Sequence, residues 1–235
     1  MRGRFGRPYF YLEQCETTQR MLDPAHPEGA VAVCEEQTDG HGRLGRTWDA
    51  PAGSSILLSV LLRPPAERRA AELMLVAGVA VAVVVERATG LAAQIKWPND
   101  VMLDRRKVAG GLAELKDGAV VLGIGINVNQ QRDELPAGTK APAASLRTVT
   151  GRTYDRAAIL TDLLLELELR YDFWRERGLD GVYDDLGARD FLRGRRVTVD
   201  GVAGLAQMIR RDGRLEVETD SGPLLVESGE VLFER

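Results

Sequence analysis

Histidine is almost missing from this chain of 235 residues, which holds only His26, set between two prolines, and His41. A catalytic triad or a multi-histidine metal site needs more imidazoles than that. Cysteine is equally scarce: Cys15 and Cys34 stand in unrelated contexts with neither a C-x-x-C spacing nor histidine partners. They predict no disulfide framework and no zinc site, and suit small buried residues in a reducing cytoplasm. The longest apolar run, Leu73 to Val85, is shorter than the roughly 20 residues a bilayer demands, so it predicts a buried helix and no membrane partner. No basic excess is present either, the net charge being −4, which leaves no electrostatic footprint for nucleic acid. Met1 to Pro8 is basic but lacks an apolar stretch behind it, so it predicts a disordered start and no secretory signal. With no serine, cysteine or histidine nucleophile in a recognisable setting, any chemistry should rest on positioning and charge stabilisation.

What the chain does have is glycine beside arginine. Asp39-Gly40-His41-Gly42-Arg43-Leu44-Gly45-Arg46-Thr47-Trp48 offers backbone N–H groups, two guanidiniums and an indole face, a set suited to a nucleotide or an acyl-phosphate. Gly40, Gly42 and Gly45 also satisfy G-x-G-x-x-G. A dinucleotide fingerprint would continue into a helix, whereas Thr47 to Gly53 is turn-like and Ile56 to Leu62 reads as a strand. The loop therefore joins two strands, and an anion there would meet loop amides and Arg43/Arg46. The bland alternative is a surface hairpin rich in glycine and arginine.

With 44% hydrophobic and 28% charged residues, the length suits one large domain, or one with a small appendage. Periodicity predicts strands at Tyr9–Gln14, about 30–37 and 54–62, Ala93–Lys96, Asp100–Leu103, Val108–Leu115 and Val120–Asn127. Helices are predicted at Thr17–Asp23, about 67–89, and Thr153–Arg177, the last carrying the stripe Ile159, Leu163, Leu167, Tyr171, Trp174 before Gly178. Leu135 to Ala144 reads as an exposed loop. After Gly194 short strands separated by Asp-Gly and Ser-Gly turns suggest a small barrel or sandwich, with a boundary near residue 190.

Two further clusters carry chemistry. Lys96-Trp97-Pro98-Asn99-Asp100 fixes an ammonium at a strand end, either as a point charge for a carboxylate or phosphate, or as an ordinary strand end and turn. Gly123-Ile124-Gly125-Ile126-Asn127 thins a strand and presents an amide, or simply packs a sheet closely.

In this order the clusters resemble the biotin protein ligase family. Its Gly-Arg-Gly-Arg-x-Gly-Arg-x-Trp loop matches Gly40 to Trp48, its Lys-Trp-Pro-Asn-Asp signature stands unchanged at Lys96 to Asp100, and its Lys-hydrophobic-Ala-Gly and Gly-x-Gly-Ile-Asn segments match Lys107 to Gly110 and Gly123 to Asn127. The resemblance spans Leu12 to Arg235. It implies an α+β fold: a mixed sheet with helices on one face, like the catalytic domain of class II aminoacyl-tRNA synthetases, over residues 1–189, and an SH3-like β-barrel over 190–235. It also implies an ATP-dependent, AMP-forming biotin–protein ligase of the monofunctional type, without an N-terminal DNA-binding domain.

By the same resemblance, biotin attacks ATP, with Mg²⁺, to give biotinyl-5′-AMP, and a lysine of a biotin carboxyl carrier protein then takes the biotin in the cytoplasm. Arg43 and Lys96 are implied as catalytic. Thr17, Thr18, Gln19, Gln37, Gly40, His41, Gly42, Arg43 and Lys96 are implied around biotin, and Arg43, Arg46, Trp48, Lys96 and Asn127 around ATP or the adenylate. No resident protein-bound metal is implied, and a homodimer is compatible with the family. Two positions depart from the pattern: His41 replaces the first arginine, and Glu16-Thr17-Thr18-Gln19 replaces Asp-Ser-Thr-Asn. Rival readings are a lipoate or octanoate ligase or transferase of the same fold, which the unchanged Lys96 to Asp100 signature opposes, and a non-catalytic biotin sensor.

Overall fold

A computed structural model describes residues 3–139 and 141–234. Its main sheet has seven strands, β1 (Tyr9–Cys15), β2 (Val31–Gln37), β3 (Ser55–Leu62), β4 (Ala93–Lys96), β5 (Asp100–Leu103), β6 (Arg106–Lys116) and β7 (Ala119–Asn127). They run in the order β1-β2-β3-β7-β6-β5-β4. Only the β1–β2 pair is parallel; the other pairs are antiparallel, so the sheet is mixed as expected. Four α-helices accompany it among the described residues: α1 (Leu73–Thr89), α2 (Leu146–Thr150), α3 (Arg156–Arg177) and α4 (Tyr183–Ala188).

The Leu73 to Val85 run is apolar all round because α1 lies between the sheet and α3, and every residue in that run but Met74 is buried. Its helix begins later than the predicted 67. A 3₁₀ turn at Ala70–Glu72 comes first, and the α-helix opens where the apolar residues reach the sheet. In α3 the predicted stripe, Ile159 to Trp174, is buried as expected, and Asp155 caps the helix by accepting from the N–H groups of Ala157 and Ala158. Among the described residues no helix is long and apolar enough to cross a membrane.

The second sheet is antiparallel, formed by β8 (Arg196–Val199), β9 (Val202–Ile209), β10 (Leu215–Thr219), β11 (Gly222–Val226) and β12 (Val231–Phe233) in the order β11-β10-β9-β8-β12. Between the sheets the chain is tied back to β4: Ile95 N donates to Arg189 O at 2.7 Å and Phe191 N to Ile95 O at 3.0 Å. Asp190, buried at this crossing, accepts from the N–H groups of Leu192 and Ile209, both at 3.0 Å.

Several expectations are corrected. Gly3 to Pro8 is an ordered strap across α3, because Phe5 is buried against Tyr171 and Glu168 accepts from the N–H groups of Arg4 and Phe5; Met1 and Arg2 lie outside the described residues. The helix predicted at Thr17–Asp23 is one 3₁₀ turn, Thr18–Met21, capped by the Thr17 hydroxyl. The cysteines are not in unrelated places: Cys15 Sγ meets Cys34 Sγ at 2.9 Å across the β1–β2 pair, and burial pushes both thiols up. In the Leu135–Ala144 stretch Pro136, Ala137 and Gly138 are exposed as expected and Lys140 lies outside the described residues, but the end is pinned: Ala144 is buried and Lys107 makes backbone hydrogen bonds with Pro142 and Ala144.

Candidate active site

The face of the main sheet away from α1 and α3 carries a cavity of about 340 Å³. Its floor is set by two glycines of β7. A Cβ on Gly123 would sit 3.0 Å from the end of the Gln19 amide, and a Cβ on Gly125 would sit 2.5 Å from the Trp48 ring, so each bare glycine is the seat of one side chain. Two residues along a strand separate the seats by about 7 Å, with both on one face. The cavity therefore has two adjoining halves, one under Gln19 and one under Trp48.

The first half is polar and uncharged. Thr18 donates its N–H to Gln37 Oε1 at 2.8 Å, while its hydroxyl lies 2.8 Å from Ser59 Oγ. The Gln19 amide is satisfied with its nitrogen turned to Val121 O at 3.2 Å and Glu114 Oε2 at 3.0 Å. These groups are held by β2, β3, β7 and the capped turn after β1, a rigid setting for a neutral, hydrogen-bonding ring.

The second half is cationic. Lys96 ends β4 with only about a tenth of its side chain exposed, its Nζ 4.0 Å from Asp100 Oδ2, and Lys107 Nζ takes the other oxygen of that carboxylate at 2.7 Å. Burial pushes the Lys96 ammonium below the usual lysine range, and Lys107, Arg46 and Arg43 push it the same way against the pull of Asp100. Arg43 is likewise pushed down, chiefly by burial, and reaches Asn99 Oδ1 at 3.5 Å. Arg46 pairs with Glu230, which comes from the second sheet. The Phe233 ring lies 5.9 Å from Lys96 Nζ, and Lys107 Nζ sits 5.4 Å from the Trp48 ring.

The glycine–arginine loop folds over this half as a small hairpin. Trp48 N donates to Gly40 O at 2.8 Å, Gly42 N to Arg46 O at 2.6 Å, and His41 bridges Thr47. Gly40 must be glycine because a Cβ there would collide with the Trp48 carbonyl and the Gln37 amide. At the tip, Leu44 and Gly45 take φ of 60° and 68°, so an exposed leucine is held in the left-handed region.

Of the residues singled out from the sequence, Thr17, Thr18, Gln19, Gln37, His41, Gly42, Arg43, Arg46, Trp48, Lys96 and Asn127 line this one cavity. Gly40 sits behind it, between Gln37 and Trp48. His41 turns its Nδ1 toward Asp39, 3.6 Å away. The Asn127 amide is engaged at both ends, donating to Ala144 O and accepting from Gln130 Nε2, each at 3.0 Å, so it braces the wall beside β7. Sequence reasoning left out Lys107, Asp100, Asn99, Glu230 and Phe233. Lys107, Asn99 and Asp100 lay inside motifs already in view, whereas no local pattern marked Glu230 or Phe233, which arrive from the second sheet.

Comparison with known proteins gives a consistent answer. The sequence model of the Biotin/lipoate A/B protein ligase family matches residues 11–131. The chain is 36% identical to the Biotin--[acetyl-CoA-carboxylase] ligase of Mycobacterium tuberculosis, over 92% of this chain and 83% of that protein. It is 34% identical to the Bifunctional ligase/repressor BirA of Bacillus spizizenii, over 96% and 74% of the two chains. Among solved structures, the biotin protein ligase from Aquifex aeolicus in complex with biotin and ATP superposes with a TM-score of 0.87 at 30% identity, covering 96% of this chain and 98% of that one.

Proposed function

The chain belongs to the biotin/lipoate A/B protein ligase family, and we propose from that premise that it is an ATP-dependent biotin–protein ligase. It activates biotin with ATP to biotinyl-5′-AMP and passes the biotin to a lysine of a biotin carboxyl carrier protein. The observation that carries the reading is the division of one cavity into a neutral amide-and-hydroxyl half and a cationic half, with the buried Lys96 ammonium in the latter.

A ureido ring suits Thr18, Gln37 and Gln19; Thr17 caps the turn that presents Thr18 and Gln19, and β2 presents Gln37. The biotin carboxylate then lies toward Arg43 and Lys96. One of its oxygens attacks the α-phosphorus of ATP, the bond from that phosphorus to the bridging oxygen breaks, and pyrophosphate leaves with the electron pair. Arg43 and Lys96 let two anions meet and hold the charge that gathers on the α-phosphoryl oxygens in the transition state. Trp48 offers its face to the adenine, Arg46 turns from Glu230 to the polyphosphate, and the Gly40–Gly42 backbone, with His41 beside it, closes over the adenylate. In the second step the carrier amine attacks the biotinyl carbonyl, its bond to the AMP oxygen breaks, AMP departs, and the nitrogen sheds its proton.

Residues 1–189 form the catalytic unit in this reading, and 190–235 a second unit that walls the nucleotide half. Magnesium would arrive on ATP, with the phosphates among its ligands. The reading includes action in the cytoplasm, where thiols stay reduced. Biotin-dependent exchange of labelled pyrophosphate into ATP tests the reading. Failure to exchange while biotin binds would leave a sensor, and exchange with lipoate or octanoate instead would leave the acyl-ligase alternative.

A further inference from the structure

We propose that Trp97 is a positioning residue which holds the second sheet in place over the nucleotide half of the cavity. The inference rests on the ligase reading above, and it gives a task to the one signature side chain that does not line the cavity. Trp97 follows Lys96 directly but does not line the cavity; it is 1% exposed, and its Nε1 donates to Gly213 O at 2.9 Å. Gly213 closes the turn between β9 and β10, where its N–H donates to Arg210 O. Two consecutive residues of β4 and its following turn thus face different tasks: Lys96 enters the cavity, and Trp97 grips the neighbouring sheet.

That turn is the handle by which the second sheet is held. Besides Trp97, Asp190 accepts from Ile209 N, Tyr183 donates its hydroxyl to Ile209 O at 2.7 Å, and Arg69 donates to Asp212 O at 3.1 Å. The far end of the same sheet is β12, a three-residue edge strand that pairs only with β8. Glu230 and Phe233, at its margins, meet Arg46 and Lys96. A short edge strand cannot set its own distance from a catalytic lysine, so the sheet must be indexed to β4 elsewhere. Phe191, bonded to Ile95 O and packed on Phe233, gives one such tie; the Trp97 hydrogen bond gives the other, from the residue next to Lys96. The hydroxyl and amide end of the cavity, held by β2, β3 and β7, has no part in this linkage.

The expected signature is selective. Trp97→Phe keeps a buried ring but loses the N–H, leaving the Gly213 carbonyl without its partner. Its KM for ATP in pyrophosphate exchange should rise about tenfold, with the KM for biotin within twofold of the parent. Tyr183→Phe touches neither the cavity nor Lys96, yet removes a hydrogen bond to the same turn, and it should show the same ATP-selective rise at a smaller size. Combined with Glu230→Gln, the effect of Trp97→Phe on the ATP KM should be less than additive, since both act through β12. If Trp97→Phe raises both KM values alike or lowers kcat alone, with Tyr183→Phe silent, Trp97 is only core packing under Lys96 and the proposal falls. Should Trp97→Phe not fold, the Tyr183→Phe and Glu230→Gln pair decides by the same criteria. Loss of exchange by the parent protein itself would instead overturn the ligase reading.

Discussion

Replacing Lys96 by methionine separates what this side chain does for stability from what it does for chemistry. Methionine fills nearly the same space without charge, and Asp100 keeps its closer partner, Lys107, at 2.7 Å. Burial already penalises the Lys96 ammonium in the folded protein, so the variant should unfold at the parent temperature or slightly above it near neutral pH. Activity should go the other way. A unit charge about 4 Å from a developing phosphoryl charge, at an effective dielectric of about 20, is worth about 4 kcal/mol. Arg43 and Lys107 recover part of that, and loss of one transition-state donor commonly costs about 10²–10³ in rate. Biotin-dependent pyrophosphate exchange should therefore fall by two to three orders of magnitude, mostly in kcat. The direction of the Lys96 shift adds a pH test. In the proposed mechanism the ammonium form of Lys96 is the active one, and burial holds its folded pKa below the ordinary value, so parent activity should fall on an alkaline limb below pH ~10.4. In the same window the folded state binds fewer protons than the unfolded one, so stability should rise with pH while activity falls. Exchange within tenfold of the parent, in a folded Lys96→Met protein, would refute the electrostatic role.

Other outcomes follow from single contacts. Gly125→Ala puts a methyl 2.5 Å from the Trp48 ring and should displace the indole, raising the ATP KM at least tenfold while the sheet survives; titration of ATP against Trp48 fluorescence, in a background lacking the other two tryptophans' signal change, would check it. Thr18→Val strands the buried Ser59 hydroxyl and removes one contact to Gln37, which should raise the biotin KM about five- to tenfold and leave that for ATP unchanged in the same exchange assay. Phe5→Ala empties a fully buried site against Tyr171 and should cost about 3–5 kcal/mol in denaturant unfolding; a change under 1 kcal/mol would mean the strap is not held as described.

Much of this site was legible in the sequence because its parts are backbone devices. Gly40, Gly45, Gly123 and Gly125 are needed for close approach or for φ > 0, and the absence of a helix after Gly45 was enough to exclude a dinucleotide crevice. Strand periodicity located the main-sheet strands to within about two residues, since alternation and flanking turns report burial directly. What stayed hidden depends on contacts far apart in the chain. Nothing local says that Phe5 packs on Tyr171, that Cys15 meets Cys34, or that Glu230 reaches Arg46. The same holds for Trp97, whose bond to Gly213, 116 residues away, no local pattern marks.

The charge arrangement explains why such a site would wait for its ligands. Arg43, Arg46, Lys96 and Lys107 converge on one half of a cavity in a protein whose net charge is −4, so the concentration of cations there is local and built. Lys96 and Arg43 are both pushed toward their neutral forms by burial, and nearby cations add to that push. Asp100 is shared by Lys96 and Lys107, and Glu230 engages Arg46, so these acids offset part of the cationic charge and leave a positive excess. A carboxylate and a polyphosphate entering together would relieve this repulsion, and the relief is greatest where the α-phosphoryl oxygens carry most charge. In the proposed mechanism the charge that gathers on the α-phosphoryl oxygens therefore meets cations that the fold already holds together, and their field favours the transition state most. The hairpin of Gly40 to Trp48 supplies Arg43 and Arg46 on backbone that is rich in glycine and closed by a few hydrogen bonds, so in that mechanism arriving anions can draw the loop inward.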